Sequence, residues 1–184
     1  MSDHEAWVQL FLEHRELTCP DGRMLFSYRT TKDEYATLRE LLGETLAALR
    51  GAPWALRAPR ECACFVLYAA EWWRREYAGG PWRWKHILDS IGQPYRLDVL
   101  ERTTAVEVGL RAWGHRPSGQ GKKYLGAIVA QGGLPLQLVA RGDGSIARLL
   151  LRGTRQAQLY GWDGQRLESF FQAHELELVQ HLRD

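Results

Sequence analysis

Residues of the right type for chemistry recur along this 184-residue chain, and their spacing decides what each group can do. Gly119-Gln120-Gly121-Lys122-Lys123 carries the glycines and lysines of a phosphate-binding loop. That loop also needs a glycine where Arg116 stands, a hydroxyl where Lys123 stands, and a preceding strand. All three are missing, so nucleotide binding is not expected here. His174-Glu175 lacks a second histidine four positions after the first, so it is not a zinc-protease helix. His174 and His181, seven apart, have no third ligand nearby in sequence and read as solvated or hydrogen-bonded side chains. No Gly-x-Ser-x-Gly elbow occurs, and neither Cys62 nor Cys64 has a histidine neighbour in the sequence. Cys62 and Cys64 are two apart in a helical pattern and point to different faces, which denies them a shared metal. No catalytic constellation, metal site or cofactor is called for.

Binding is the better expectation, and two stretches compete for it. Trp72, Trp73, Tyr77, Trp82 and Trp84 interleave with Arg74, Arg75, Arg83 and Lys85. Bases stack on aromatic faces and arginine adds charge, so such a mixture suits single strands. The alternative is that the aromatics join two helices across Gly79-Gly80-Pro81, with arginine stems laid along them. Packing is favoured, because Trp72 and Trp73 prolong an apolar helix and Glu71 and Glu76 offset the charge.

The second stretch is electrostatic. The chain has 24 Lys+Arg against 22 Asp+Glu, a net charge of only +2. That balance is a cancellation: residues 109–166 hold nine basic side chains and two acids, net +7, whereas residues 1–50 and 167–184 are each −3. Arg148, Arg152 and Arg155 follow helical spacing, while Arg116, Lys122 and Lys123 flank a Gly-rich loop beside a helix start. Together with Arg141 these seven form the candidate nucleic-acid contact set, with DNA expected before RNA. The contact would be mainly with phosphates and therefore sensitive to salt. A protein-facing or scaffold surface, with no nucleic-acid contact, is the alternative.

The elements that must position these groups are helical. Ser2-x-x-Glu5 and Thr31-x-x-Glu34 are capping boxes. The first opens a helix to about Leu17 with Trp7, Leu10, Phe11 and Leu12 on a helical face. The second opens one with Tyr35, Leu38, Leu41, Leu42, Thr45 and Leu49 in register. Met24–Tyr28 reads as a short extended segment. Residues 61–78 form the most apolar helix, stopped by Gly79-Gly80-Pro81. Helices follow around 82–91, 95–113, 122–131 (broken by Gly132-Gly133-Leu134-Pro135 and resuming to about Arg141), 146–159 and 165–183, separated by Gly- and Pro-rich turns. The expected fold is all-α, one domain of about eight helices. Three cysteines without a paired framework and an acidic N-terminus suit a cytoplasmic protein. The longest apolar run is too short to span a membrane, and no membrane partner is expected. The last helical pattern reaches residue 184 without a stop, as fits either a natural terminus or the N-terminal part of something longer.

Three strings carry a resemblance. Pro20-Asp21-Gly22-Arg23 ahead of Tyr28-Arg29, then Ala70-Glu71-Trp72-Trp73-Arg74-Arg75-Glu76-Tyr77 with Gly79-Gly80-Pro81-Trp82, and Gly132-Gly133-Leu134-Pro135, resemble the N-terminal region of a family of large bacterial proteins of mobile genomic islands. That family is similar to the large components of Druantia-type antiphage defence systems. The Trp-Trp-Arg-Arg run is the most specific string. The resemblance transfers no functional residue; it implies a helical recognition or assembly module beside a helicase-like or nuclease partner.

Overall fold

In this computed structural model the described residues are 2–48, 58–80, 83–92, 99–115, 124–137, 145–161, 163, 165, 166 and 169. Among them the regular structure is entirely helical, in agreement with the all-α expectation. In chain order the helices are α1 (Asp3–Glu13), a 3-10 turn (Leu25–Tyr28), α2 (Lys32–Ala48), α3 (Pro59–Glu76), α4 (Trp84–Ser90), α5 (Val99–Ala112), α6 (Tyr124–Gly132) and α7 (Ser145–Tyr160). The chain divides into two compact units. Unit 1 comprises Met1–Arg74 with Arg83–Gly133, and unit 2 comprises Arg75–Trp82 with Leu134–Asp184.

Unit 1 is organised around α3, whose residues from Cys62 to Trp73 are all buried. A helix apolar nearly all round has to be surrounded. Tyr68 stacks on Tyr35 of α2 with centroids 5.1 Å apart, and Phe65 stacks on Trp84 of α4 at 5.8 Å. Such ring pairs add about 0.5–1.5 kcal/mol to the burial of their surface. The Tyr68 hydroxyl, buried with the ring, accepts from Arg39 Nε at 3.2 Å and pairs with Ser90 Oγ at 2.9 Å. Trp113, fully buried after α5, donates from Nε1 to the Ala63 carbonyl at 2.9 Å. α5 and α6 reach α3 through glycine. A Cβ at Gly109 would lie 2.3 Å from the Cys62 carbonyl oxygen, and one at Gly132 would lie 2.5 Å from that of Ala70.

Both capping boxes occur where the sequence places them. Ser2 Oγ accepts from the Glu5 N–H at 3.2 Å. Thr31 and Glu34 exchange both bonds, at 3.1 and 2.8 Å, so two donors that a helix start leaves unpaired are satisfied. Other expectations need correcting. α1 ends at Glu13 rather than near Leu17, because the Leu17 N–H turns back to the Leu12 carbonyl and Glu16 takes a positive φ of 57°. Its buried face is His4, Val8, Phe11 and Leu12, a helical stripe, and Leu10 lies outside it at 55% exposure. Met24–Tyr28 is not extended: Leu25–Tyr28 form a 3-10 turn. The turn is held by long-range partners, with the Leu25 N–H donating to Gln131 Oε1 at 3.0 Å and Gly133 packed under the Phe26 ring.

In unit 2, the Tyr77 hydroxyl donates to the Gly80 carbonyl at 2.5 Å, closing the Gly-Gly turn after α3. α7 is its longest described helix, sixteen residues ending before Gly161, whose φ is 61°.

Two glycine substitutions of opposite sign test this packing. Gly109→Ala drives a methyl into the α3 backbone and is expected to cost about 1–3 kcal/mol or more. Gly126→Ala, inside α6 with nothing within 4 Å of the added Cβ, is expected to stabilise by up to about 1 kcal/mol through helix propensity. Urea midpoints of the two variants check both signs.

Candidate nucleic-acid interface

α7 is built from the sequence Ser-Ile-Ala-Arg-Leu-Leu-Leu-Arg-Gly-Thr-Arg-Gln-Ala-Gln-Leu-Tyr, with three arginines and no acidic residue. At about 100° per residue, Arg148, Arg152 and Arg155 fall within an arc of about 60°. All three are exposed. Over roughly two turns, about 10 Å of helix, they form one positively charged ridge. Leu159 falls inside that arc and Leu151 about 40° outside it, each 68% exposed, while Tyr160 at the last position, 69% exposed, lies about 80° beyond Arg152.

The other members of the expected set fall differently. Arg116, Lys122, Lys123 and Arg141 lie outside the described residues. Of the remaining bases in 109–166, Arg111 forms an i,i+4 ion pair with Glu107. Arg166 is exposed, and its N–H donates to Asp163 Oδ1 at 2.8 Å. The structure therefore brings Arg148, Arg152 and Arg155 together. Leu151, Leu159 and Tyr160 are additions that sequence reasoning passed over. A helical wheel of 146–160 shows the leucines among the arginines, but their exposure depends on which sector the fold covers.

The tryptophan cluster is largely packing. Trp72 and Trp73 are buried, at 7% and 5% exposure, and Trp73 Nε1 donates to the Gly133 carbonyl at 2.7 Å. Trp84 stacks on Phe65, Arg74 makes a two-point pair with the fully buried Glu71 carboxylate, and Trp82 lies outside the described residues.

Perturbed titratable groups mark candidate sites, and several of those in unit 1 have structural partners. The Cys62 and Cys64 thiols are raised by burial, Cys62 to about 12, which disfavours the reactive thiolate. Tyr28 is pushed to about 12, chiefly by burial; its hydroxyl donates to Asp21 Oδ1 at 3.0 Å, and Arg23 also pairs with that carboxylate. His4 is buried in the first turn of α1 and shares a hydrogen bond with Thr45 Oγ1 at 3.2 Å; desolvation lowers its pKa. Burial alone would raise Glu34. Two bonds from Arg15, at 2.9 and 2.7 Å, with the Thr31 N–H, outweigh it and hold Glu34 at about 2. Arg15 also donates to the Tyr28 and Phe11 carbonyls at 2.5 and 2.7 Å and lies 3.6 Å over the Phe11 ring. This arginine tie crosses from α1 to α2 and is the largest feature that sequence reading missed. Among the described residues no group of three His, Cys, Asp or Glu side chains is placed to hold a metal. No described helix is long and apolar enough to cross a membrane.

Among the described residues the chain is all-α, and its last described helix carries three exposed arginines in one sector. The chain belongs to the YjiT N-terminal domain family, whose model matches residues 1–134. It is 29% identical over 201 residues to Protein YjiT of Escherichia coli strain K12, across 97% of this chain and 37% of that protein. The chain thus spans well under half the length of the relative it matches. No solved structure matches it. The arginine ridge of α7 lies beyond the residues that the family model covers.

Two of the shifted groups, His4 and Glu34, contribute to a pH profile. His4 has a folded pKa below its usual 6.5, so the unfolded state takes up the proton first and stability falls as pH drops below about 6.5. Glu34, at about 2 against 4.5, contributes stability that is present above pH 4.5 and lost as pH falls toward 2. In urea titrations from pH 8 to pH 2.5, His4→Gln is expected to flatten the upper window and Glu34→Gln the lower one.

Proposed function

We propose that this chain is a non-enzymatic helical module that binds nucleic acid, DNA before RNA, through the basic segment 109–166. Arg148, Arg152 and Arg155 on α7 form its centre. The observation that carries the reading is a sixteen-residue helix with three arginines exposed in one sector and no carboxylate of its own. Guanidinium groups suit phosphate oxygens because they donate two parallel hydrogen bonds and stay charged at any physiological pH. Such contacts position the protein on the strand without reading sequence. A setting in antiphage defence, beside a helicase-like partner, is supported by the resemblance of the three sequence strings alone.

A second reading has one observation in its favour. A shallow cleft of about 220 Å³ in unit 1 is lined by Trp7, Leu10, Phe11 and Thr37, with His14, Asp33 and Glu34 at its rim. Its exposed Leu10 is the kind of apolar contact that a protein partner covers. In this reading the module is a scaffold with no nucleic-acid contact.

A gel-shift salt titration of the full chain separates the two. Wild type is expected to bind a 30-bp duplex at low salt and to lose affinity steeply as salt rises. Changing Arg148, Arg152 and Arg155 together to Glu is expected to weaken binding at least tenfold. It should also lower the slope of log K against log salt by about 2 to 3, near 0.9 for each phosphate that is no longer neutralised. Equal binding by both proteins, or none by wild type at low salt, would overturn the nucleic-acid reading in favour of the scaffold.

A further inference from the structure

We propose that the outer face of α1 and α2 in unit 1 is a docking surface for a basic amphipathic helix of a protein partner. The inference gives the cleft at Leu10 an occupant, and it stands apart from α7, with which this face shares no residue. The two helices run antiparallel: His4 bonds to Thr45 at one end, and Arg15 to Glu34 at the other. On α1, Asp3, Trp7, Leu10 and His14 fall within an arc of about 60°. Leu10 is 55% exposed, and Trp7 is half-buried with its ring stacked on Phe11 at 4.9 Å. On α2, Asp33, Thr37, Glu40 and Glu44 fall within a second arc of about 60°, and all four are exposed. Trp7, Leu10 and Phe11 meet Asp33, Glu34 and Thr37 across the cleft of about 220 Å³. Glu40 and Glu44 carry the acidic stripe further along α2, over about 16 Å in all.

Charge and geometry choose the occupant. An exposed leucine beside a half-buried indole is what an apolar side chain of a partner covers, and a large aromatic at such a place carries much of an interface's energy. Beside them the free charge is of one sign. Among the described residues Asp33, Glu40 and Glu44 form no ion pair, whereas Glu34 is neutralised by Arg15. Residues 1–50 as a whole are net −3. A polyanion is repelled by such a face. A two-fold dimer through it would set the same acids against each other. A basic helix answers both features. Lysines or arginines spaced seven and four apart on it match Asp33, Glu40 and Glu44, and leucines on its neighbouring sector enter the cleft. The complementary charge fixes orientation and speeds encounter, while the apolar contact supplies affinity.

The test uses the full chain and two synthetic helical peptides. One has leucines on one face and lysines beside them at those intervals; the other has glutamates in place of the lysines. Fluorescence anisotropy is expected to show saturable binding of the lysine peptide, weakened by salt, and none of the glutamate peptide. Leu10→Asp should weaken the lysine peptide roughly tenfold or more, as for a central interface contact. Glu40→Lys with Glu44→Lys should weaken it as well and let the glutamate peptide bind. Leu100→Asp, at a leucine 74% exposed on α5, should bind like wild type, which separates this face from non-specific apolar binding. All the substituted residues are exposed, so thermal melts of the variants should stay close to wild type. No binding of the lysine peptide, equal binding of both peptides, or equal weakening by Leu10→Asp and Leu100→Asp overturns the inference. So does self-association in light scattering that Leu10→Asp abolishes, because a second copy is then the occupant. The duplex gel shift decides the α7 reading by itself, so each can fail without the other.

Discussion

A helix buried on every side imposes its terms on everything around it, and α3 does so in unit 1. From Cys62 to Trp73 it has no solvent face, so its neighbours have to supply cover in all directions. Where a neighbour brings large side chains, rings stack, as Tyr35 and Trp84 do. Where backbone approaches backbone, only glycine fits, and Gly109 and Gly132 occupy those places. Close-packed interiors leave little room for adjustment, so these contacts specify one arrangement of α5 and α6 against α3.

Parts of all three strings that carry the resemblance serve this same frame in unit 1. Trp73 donates to the Gly133 carbonyl, Gly133 lies under Phe26, and Gln131 accepts from Leu25. Asp21 holds the Tyr28 hydroxyl, and Tyr28 packs on Trp113, which in turn bonds to the α3 backbone at Ala63. Segments far apart in the chain thus meet around one helix. The residues of these strings that lie in unit 1 thus serve packing around α3. The arginine ridge lies in the other unit, beyond that matched region.

Legibility in the sequence followed the range of the interactions. The capping boxes at Ser2 and Thr31 depend on residues three apart, and both are present. The α3 helix and its Gly-Gly stop were legible from an apolar run followed by glycine, and the arginine sector of α7 from 4-and-3 spacing. Met24–Tyr28 was misread because its conformation is held from outside, by Gln131 and Gly133 more than a hundred residues away. Arg15 and His4 look like ordinary surface residues in sequence. Arg15 is half-buried, neutralised by Glu34, and His4 is buried, where it shares a hydrogen bond with Thr45. A charge is tolerated in the interior only with such partners, and partners in space are not visible along the chain.

The sequence by itself determined the helical class, the capped starts of α1 and α2, the Gly-Gly stop after α3, and the existence of a basic segment hidden inside a near-neutral total, since each depends on local spacing or on counting. Only the tertiary structure decided which aromatics are spent on packing and which remain exposed. Burial is a property of the surroundings that other helices create: Trp72 and Trp73 sit inside because α3 is enclosed, and Tyr160 remains outside at the end of α7. The same physics turned one arginine into a half-buried tie at Arg15 and left Arg148, Arg152 and Arg155 together on a surface.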